Sequence, residues 1–426
     1  MKRDELFAPL SGKATRIMLL GAGELGRETI IEAMRMGIET IAVDRYENAP
    51  GQQVAHRSYT GNMKDAGFLR AVIEREKPDA IIPEIEAVNL DLLAELEKEG
   101  FNIVPNAEAV RAAMHRERIR ELISKKAGVP TSKYLYASTL DELQDACEKI
   151  GYPCWVKAIM SSSGHGSSFV QSKADIKKAF ENAKTNARGS GEKMIVEEHI
   201  PFDLEITELA VRHYDENGKI TTTFPKPVGH YQVEGDYHSS WQPAEVSEKV
   251  EKEIYRIAGK ITGALGGVGL FGCELFVKGD KVYGNECAAR PHDTGMVTFA
   301  THQAGFSEAG LHARAVCGLP IPSSRQGEFN VIMPIKAGAS HVVLSPCEGW
   351  VPGIRGLWKA MGKDISFYIF GKPEAHIGRR MGLVVALDDD VQEAKKKAER
   401  AAHFIEMQTQ QQQKWLPQDE KRKHLL

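Results

Sequence analysis

The chain has 426 residues, 42% hydrophobic and 27% charged, with a formal net charge of −3. That length exceeds what one hydrophobic core usually supports, so two or three domains are expected. The near-neutral balance offers no electrostatic case for nucleic acid or an anionic membrane and leaves a small-molecule partner as the default.

The cysteines, Cys147, Cys154, Cys273, Cys287, Cys317 and Cys347, are scattered and include no C-x-x-C pair, which argues against a zinc ribbon or a disulfide framework. The opening MKRDELFAPLSGKAT lacks the apolar centre of a signal peptide, and no apolar run approaches the ~18 residues that span a bilayer. The expectation is a reduced, cytoplasmic protein.

From Ala14, RIMLLGAGELGRETIIEAMRMGIETIAVDRY reads as strand, glycine turn, amphipathic helix and strand, and DAIIPEIEAV and FNIVP add short buried strands. This predicts a parallel α/β domain over residues 1–125, closed by one helical stretch, AVRAAMHRERIRELISKKAG, that ends at Gly128 and Pro130. Gly21, Gly23 and Gly26 form G-x-G-x-x-G between strand and helix, and Asp44 ends the next strand, so a dinucleotide site has to be considered. Glu24 argues against it, because a carboxylate there would face a pyrophosphate. The bland alternative is a tight turn with a solvated glutamate. Glu84, after a second strand, reaches the same carboxyl edge, and two acids converging there favour a cationic substrate group.

Residues 126–320 have an α+β texture, with a smaller part at about 130–205. Strands KYLYAS, CWVKAIM and KMIVEEHI surround a helix at 173–187. LEITELAVRHY, KITTTFPKPVG, a helix at 245–265 and the hairpin FGCELFVKGDKVYGNECAA follow. Lys157 sits on an apolar strand and needs an anionic partner. The adjoining SSSGHGSSFV supplies backbone N–H groups, hydroxyls and glycines that let the main chain approach an anion, so the pair reads as a phosphate clamp. The alternative is a snorkelling lysine beside a flexible hairpin.

In the hairpin, Glu274 and Glu286 are each six residues from Asp280, which puts them opposite or nearly so on one face. Facing carboxylates repel unless a cation lies between them, and Mg²⁺ suits one or two carboxylates with phosphate oxygens and water. Two solvated glutamates on an outer face are the alternative. Arg290, in the following ARPHDTGM, is placed to stabilise transferred charge beside a metal-bound phosphate, while His292 is assigned no catalytic role. Residues 321–408 predict a small β-rich domain of short strands and glycine turns with a helix near 390–406, and the polar tail 409–426 predicts disorder.

The stretches RIMLLGAGELG, AVDRY, IIPEIEA, GYPCWVKAIMSSSGHG, PVGHYQVEGDYHSSWQP, GLFGCELFV, RPHDTGMVT and FGKPE followed by GRRMG resemble, in that order, the ATP-grasp superfamily. Within it they resemble the formate-dependent phosphoribosylglycinamide formyltransferase family, over about residues 14–407. The resemblance implies an N-terminal parallel α/β (pre-ATP-grasp) domain, a central ATP-grasp domain whose part at about 130–205 is mobile, and a small C-terminal β-rich domain. It also implies a homodimer that uses ATP and Mg²⁺ to activate formate as formyl phosphate and passes the formyl group to glycinamide ribonucleotide.

The same resemblance implies site residues. Glu24, Leu25, Glu84, Asp293, Lys372, Arg379 and Arg380 fall at the glycinamide-ribonucleotide positions. Arg116, Lys157, Ser162, Ser163, Gly164, His165, Gly166 and Ser167 match the ATP-phosphate positions, Glu197, Glu198, His199 and Ile200 the adenine hinge, and Glu205 a ribose contact. Glu274 and Glu286 match the magnesium ligands, and Lys157 and Arg290 are the expected catalytic cations.

The chain departs from the family pattern at His165 in place of lysine, which makes a constant charge conditional, and at Ala158 in place of proline. Ala288 and Ala289 replace serine and proline, Tyr231 and His238 replace arginines, and the segment 340–362 has no clear counterpart. These departures keep open another ATP-grasp carboxylate–amine ligase with a different acid or amine, and a catalytically silent ATP-binding module.

Overall fold

The computed structural model describes residues 2–85, 87–160, 165–187, 193–233 and 235–410; the expected phosphate contacts Ser162, Ser163 and Gly164, and the tail from 411 onward, lie outside them. Strands β1 (Arg16–Leu20), β2 (Glu39–Asp44), β3 (Arg57–Thr60) and β4 (Ala80–Pro83) form a parallel sheet in the order β3-β2-β1-β4. Its strands read as apolar runs because helices cover both faces. Helix α1 (Glu24–Arg35) supplies Ile30 and Ala33 to one face, and α2 (Ala66–Glu76) and α3 (Leu90–Lys98) supply Leu69, Ile73, Leu93 and Leu96 to the other. The side chains of Asp65 and Asn89 cap α2 and α3 by accepting the N–H of Phe68 and Leu92.

The stretch expected as one helix is divided into α4 (Ala107–Ala113), α5 (Arg116–Glu121) and a π-helical turn at Leu122–Lys126. The cause is local. The Arg116 N–H donates to the Ile159 carbonyl at 3.0 Å instead of to the preceding turn, and the His115 side chain caps α5 by accepting the Arg118 N–H. The break frees Arg116 to point away from the helix axis and toward the site.

Next comes a small antiparallel sheet, in the order β5-β8-β6-β7, of β5 (Tyr134–Ala137), β6 (Cys154–Ala158), β7 (Ser167–Val170) and β8 (Met194–Glu198). Helices α6 (Leu140–Ile150) and α7 (Ile176–Thr185) bury one face around Leu143, Val156, Ile176 and Val196. Residues of the alternating register, Trp155, Lys157 and Glu197, line a cleft instead.

The largest sheet has eleven strands. It contains β9 (Leu204–Tyr214), β10 (Ile220–Pro225), β11 (Val228–Val233), β12 (Asp236–Gln242), β13 (Gly269–Lys278), β14 (Lys281–Ala288), β15 (Ser324–Gln326), β16 (Phe329–Ile332) and β17 (Ala337–Leu344). β18 (Gly349–Arg355) leaves it, β19 (Ile365–Ile369) returns, β20 (Glu374–Ala375) leaves, and β21 (Arg380–Asp388) returns. Helix α8 (Glu248–Leu265) packs Ile254, Ile257 and Ile261 onto Phe271 and Leu275 of β13. Short α9 (Thr298–Thr301) and α10 (Glu308–Cys317) follow the hairpin, and α10 also covers the first sheet through Ala313 and Val316.

Because β12 pairs with β17 and β17 with β21, the central sheet runs unbroken past residue 320. Short α11 (Leu357–Ala360) and α12 (Val391–His403) lie beside it, and β22 (Glu406–Gln410) joins β18 and β20 in a separate three-stranded sheet.

Candidate active site

A cavity of about 1090 Å³ is bounded by the carboxyl edge of the parallel sheet, the inner face of the small antiparallel sheet and the β13–β14 hairpin. Glu24, Leu25 and Glu84 line one end. Gly21 there has φ +109°, and a Cβ on it would come within 2.7 Å of Ile85 Cγ2. Asp44 braces the turn: its Oδ2 accepts the Ala22 N–H and its Oδ1 the Arg45 N–H, each at 2.7 Å. The acid that a dinucleotide site would aim at ribose is thus spent on the backbone, and the glycines serve the turn itself.

Glu24 begins α1 and is tied to the C-terminal segment. Lys372 Nζ lies 2.9 Å and Arg380 Nη2 3.6 Å from Glu24 Oε1, and Arg380 Nη1 lies 2.6 Å from Asp293 Oδ2. Burial pushes the Glu24 carboxyl up, but Lys372 and Arg380 outweigh it and hold the group below its ordinary value. For Asp293, burial is likewise outweighed by Arg380 and Arg290, leaving it at about 2. Arg380 lines the cavity, Lys372 reaches it only through Glu24, and Arg379 turns aside to donate to the Glu374 carbonyl at 2.7 Å. The expected basic trio is therefore split.

At the other end, Lys157 Nζ lies 2.8 Å from Glu197 Oε2 across β6 and β8. Arg120, 2% exposed, donates through Nε to Glu197 Oε1 at 3.0 Å. Burial raises Glu197, yet Arg120 and Lys157 together bring it to about 2. Glu198, His199 and Ile200 continue along the rim, where the Trp155 indole meets His199 Nδ1 at 3.3 Å. His165, Gly166 and Ser167 line the cavity, with Ser167 directly opposite Lys157 in the β6–β7 register. Glu205 also lines it, with its Oε2 3.6 Å from His230 Nε2.

The hairpin carries the acids through a bulge. Lys278 pairs with Lys281 and the register holds to Leu275 opposite Gly284, after which Asn285 is the extra residue and Glu274 faces Glu286. Without that bulge Glu274 would oppose Asn285, and Glu286 would turn to the opposite face. Arg116 Nε lies 3.1 Å from Glu286 Oε1, with its Nη1 donating to the Ala158 carbonyl at 2.7 Å. His292 Nε2 lies 3.2 Å from Glu274 Oε1, and this contact overcomes the burial that would raise Glu274, taking it to about 2. Among the described residues no cluster of three or more His, Cys, Asp or Glu is arranged for a metal. Two facing carboxylates with hard oxygens fit Mg²⁺, whose shell phosphate and water complete. Arg290 lines the cavity beside them.

Arg120 and His292 are the contributors that sequence reasoning missed. A lone arginine at a buried helical position next to Ile119 is the signal for the first; nothing short of the fold reveals the second. Of the positions that depart from the family pattern, Ala288 and Ala289 line the cavity, but Tyr231 and His238 do not; their rings pack on each other at 5.8 Å.

The ATP-grasp domain model matches residues 122–306, the ribonucleotide synthetase preATP-grasp domain model residues 14–114, and the model described as PurT, C-terminal, residues 338–405. The formate-dependent phosphoribosylglycinamide formyltransferase of Pyrococcus abyssi is 64% identical over 426 residues, covering 100% of this chain and 99% of that protein. Among solved structures, glycinamide-RNase-transformylase T from Mycobacterium tuberculosis is 30% identical with TM-score 0.75, covering 92% of this chain and 100% of that one. N5-carboxyaminoimidazole ribonucleotide synthetase from Thermotoga maritima is 25% identical with TM-score 0.78, covering 93% and 100%. With full-length identity on this scale and the acids, cations and glycine turn meeting in one cavity, the chain belongs to the formate-dependent phosphoribosylglycinamide formyltransferase family of ATP-grasp enzymes.

Proposed function

We propose that the chain uses ATP and Mg²⁺ to formylate the amine of glycinamide ribonucleotide with formate, a step of purine biosynthesis. The observation that carries this reading is that one cavity holds a facing carboxylate pair, Glu274 and Glu286, at its floor and the Glu24–Arg380–Asp293 network at its end. A formate oxygen attacks the γ-phosphorus of ATP, giving formyl phosphate and ADP. The substrate amine then attacks the formyl carbon and phosphate leaves, with the amine losing a proton.

Each residue has a task in that sequence. Lys157 and Arg116 meet the nucleotide phosphates with His165, Gly166 and Ser167, and the segment 198–200 holds the adenine with Glu205 at the ribose. Glu274 and Glu286 would hold Mg²⁺, which when bound offsets the charge of the β- and γ-phosphates. Arg290 stabilises charge on the transferred phosphoryl group. Glu24 and Glu84 accept hydrogen bonds from the substrate amine side, Arg380 favours its phosphate, and Lys372 holds Glu24 in place. The segments 1–125, 126–320 and 321–408 divide this work, and the family resemblance supports a homodimer working in the cytoplasm.

The test is ADP release from Mg²⁺-ATP with glycinamide ribonucleotide, with and without formate, and the mass of the nucleotide product. Turnover that needs both substrates and a product that gains a formyl group support the reading. ADP formation only with another acid–amine pair would replace it with the second ligase reading, for which the cavity-lining Ala288 and Ala289 are the motive.

A further inference from the structure

We propose that Cys273 and Cys287 are a dithiol site that a peroxide-class oxidant closes to a disulfide. The two residues are directly opposed in the β13–β14 register, and their sulfurs are 3.1 Å apart. Direct antiparallel pairing sets Cα atoms about 4.5–5.5 Å apart, inside the ~4.4–6.8 Å range that disulfides span. Closure therefore asks for side-chain adjustment, with sulfurs moving to about 2.0 Å, and no rearrangement of the strands.

Both cysteines are buried, with their side chains in the core under α8, on the face of the hairpin opposite Glu274 and Glu286, and β14 pairs with β13 alone among the described strands. A small oxidant therefore reaches the thiols through local opening of this edge hairpin.

The step balances. One peroxide oxidises two thiols: the S–S bond forms, two S–H bonds and the O–O bond break, and two waters carry away the hydrogens. The bond staples the strands one residue from each of Glu274 and Glu286. Cys147 and Cys154, which contact one another in the core of the small sheet and do not line the cavity, provide an internal comparison.

The experiment treats the full-length protein with hydrogen peroxide, blocks free thiols by alkylation and maps peptides by mass. The expected result is a Cys273–Cys287 cross-linked peptide, absent in Cys287→Ala and in Cys273→Ala, and reversed by dithiothreitol with a fall of several degrees in Tm. Recovery of both cysteines singly alkylated, while the half-exposed Cys347 is oxidised, overturns the dithiol site. Protein that cross-links as expected but makes no formylated product would count against the proposed function and not against this site.

Discussion

Lys157 and Glu197, 2.8 Å apart on neighbouring strands, form a buried ion pair. The lysine is thereby held at one place in the cleft wall, and Arg120 shares the same carboxylate so that Glu197 carries two cations. Glu197→Gln removes the charge that both need. We expect a loss of roughly 3 kcal/mol in urea unfolding and a rise of about ten-fold in the KM for ATP, as Lys157 loses its fixed position. Unchanged stability with unchanged KM would refute the pair as a positioning device.

Glu286 stands between Arg116 and the facing Glu274. Glu286→Gln keeps the shape and the hydrogen-bonding partner but halves the charge offered to a cation, so kcat should fall by about 10²-fold or more, the scale of losing one group aimed at developing charge. The Mg²⁺ concentration for half-maximal rate should rise, and chelation of wild-type protein should abolish turnover until Mg²⁺ is restored. Calorimetric binding of glycinamide ribonucleotide alone should be unaffected.

The carboxylate pair also shows how far the sequence could be read. Counting from the KGDK turn brings Glu274 and Glu286 near one another, because strand pairing across a tight turn is local. The extra residue at Asn285 that makes them face directly is not local, since a bulge answers to the strands around it. Lys157 could be seen to need an anion, but that the anion is Glu197 depends on the β6–β8 register. The parallel sheet was legible from apolar runs and its glycine turn. The splitting of the basic segment, with Arg380 in the cavity and Arg379 on a backbone carbonyl, depends on which of two adjacent side chains the β21 strand turns inward.

Arg380 bridges Asp293 and Glu24, so it both orders the acids and faces substrate. Replacing it with Met keeps the apolar stem and leaves two acids repelling. The KM for glycinamide ribonucleotide should rise about 10–100-fold, the value of one or two charge-assisted bonds, while the KM for ATP stays within two-fold, roughly the spread of an uncoupled site. Arg379→Met should have the smaller effect. A larger loss at Arg379 than at Arg380 would reverse the assignment.

The buried acids divide into two sets with opposite pH signatures. Asp293 and Glu197 are held at about 2, below their unfolded values, so their stabilisation is present above pH ~4.5 and is lost as pH falls toward 2. Glu208, on β9, behaves in the other sense. It is fully buried among Ile206, Ala210 and Tyr255 in the core under α8, and burial pushes its carboxyl well above the ordinary value. It folds as a neutral acid, so its favourable contribution is complete below pH ~4.5 and declines as pH rises toward the folded value, because only the unfolded chain releases the proton. The slope is about 1.4 kcal/mol per pH unit for one proton. Glu208→Gln removes that slope without changing the size of the side chain. Urea midpoints should therefore be nearly equal for variant and parent at pH 4.5 and diverge in the variant's favour by pH 8. A variant less stable at every pH would mean that Glu208 is ionised and paired in the folded protein.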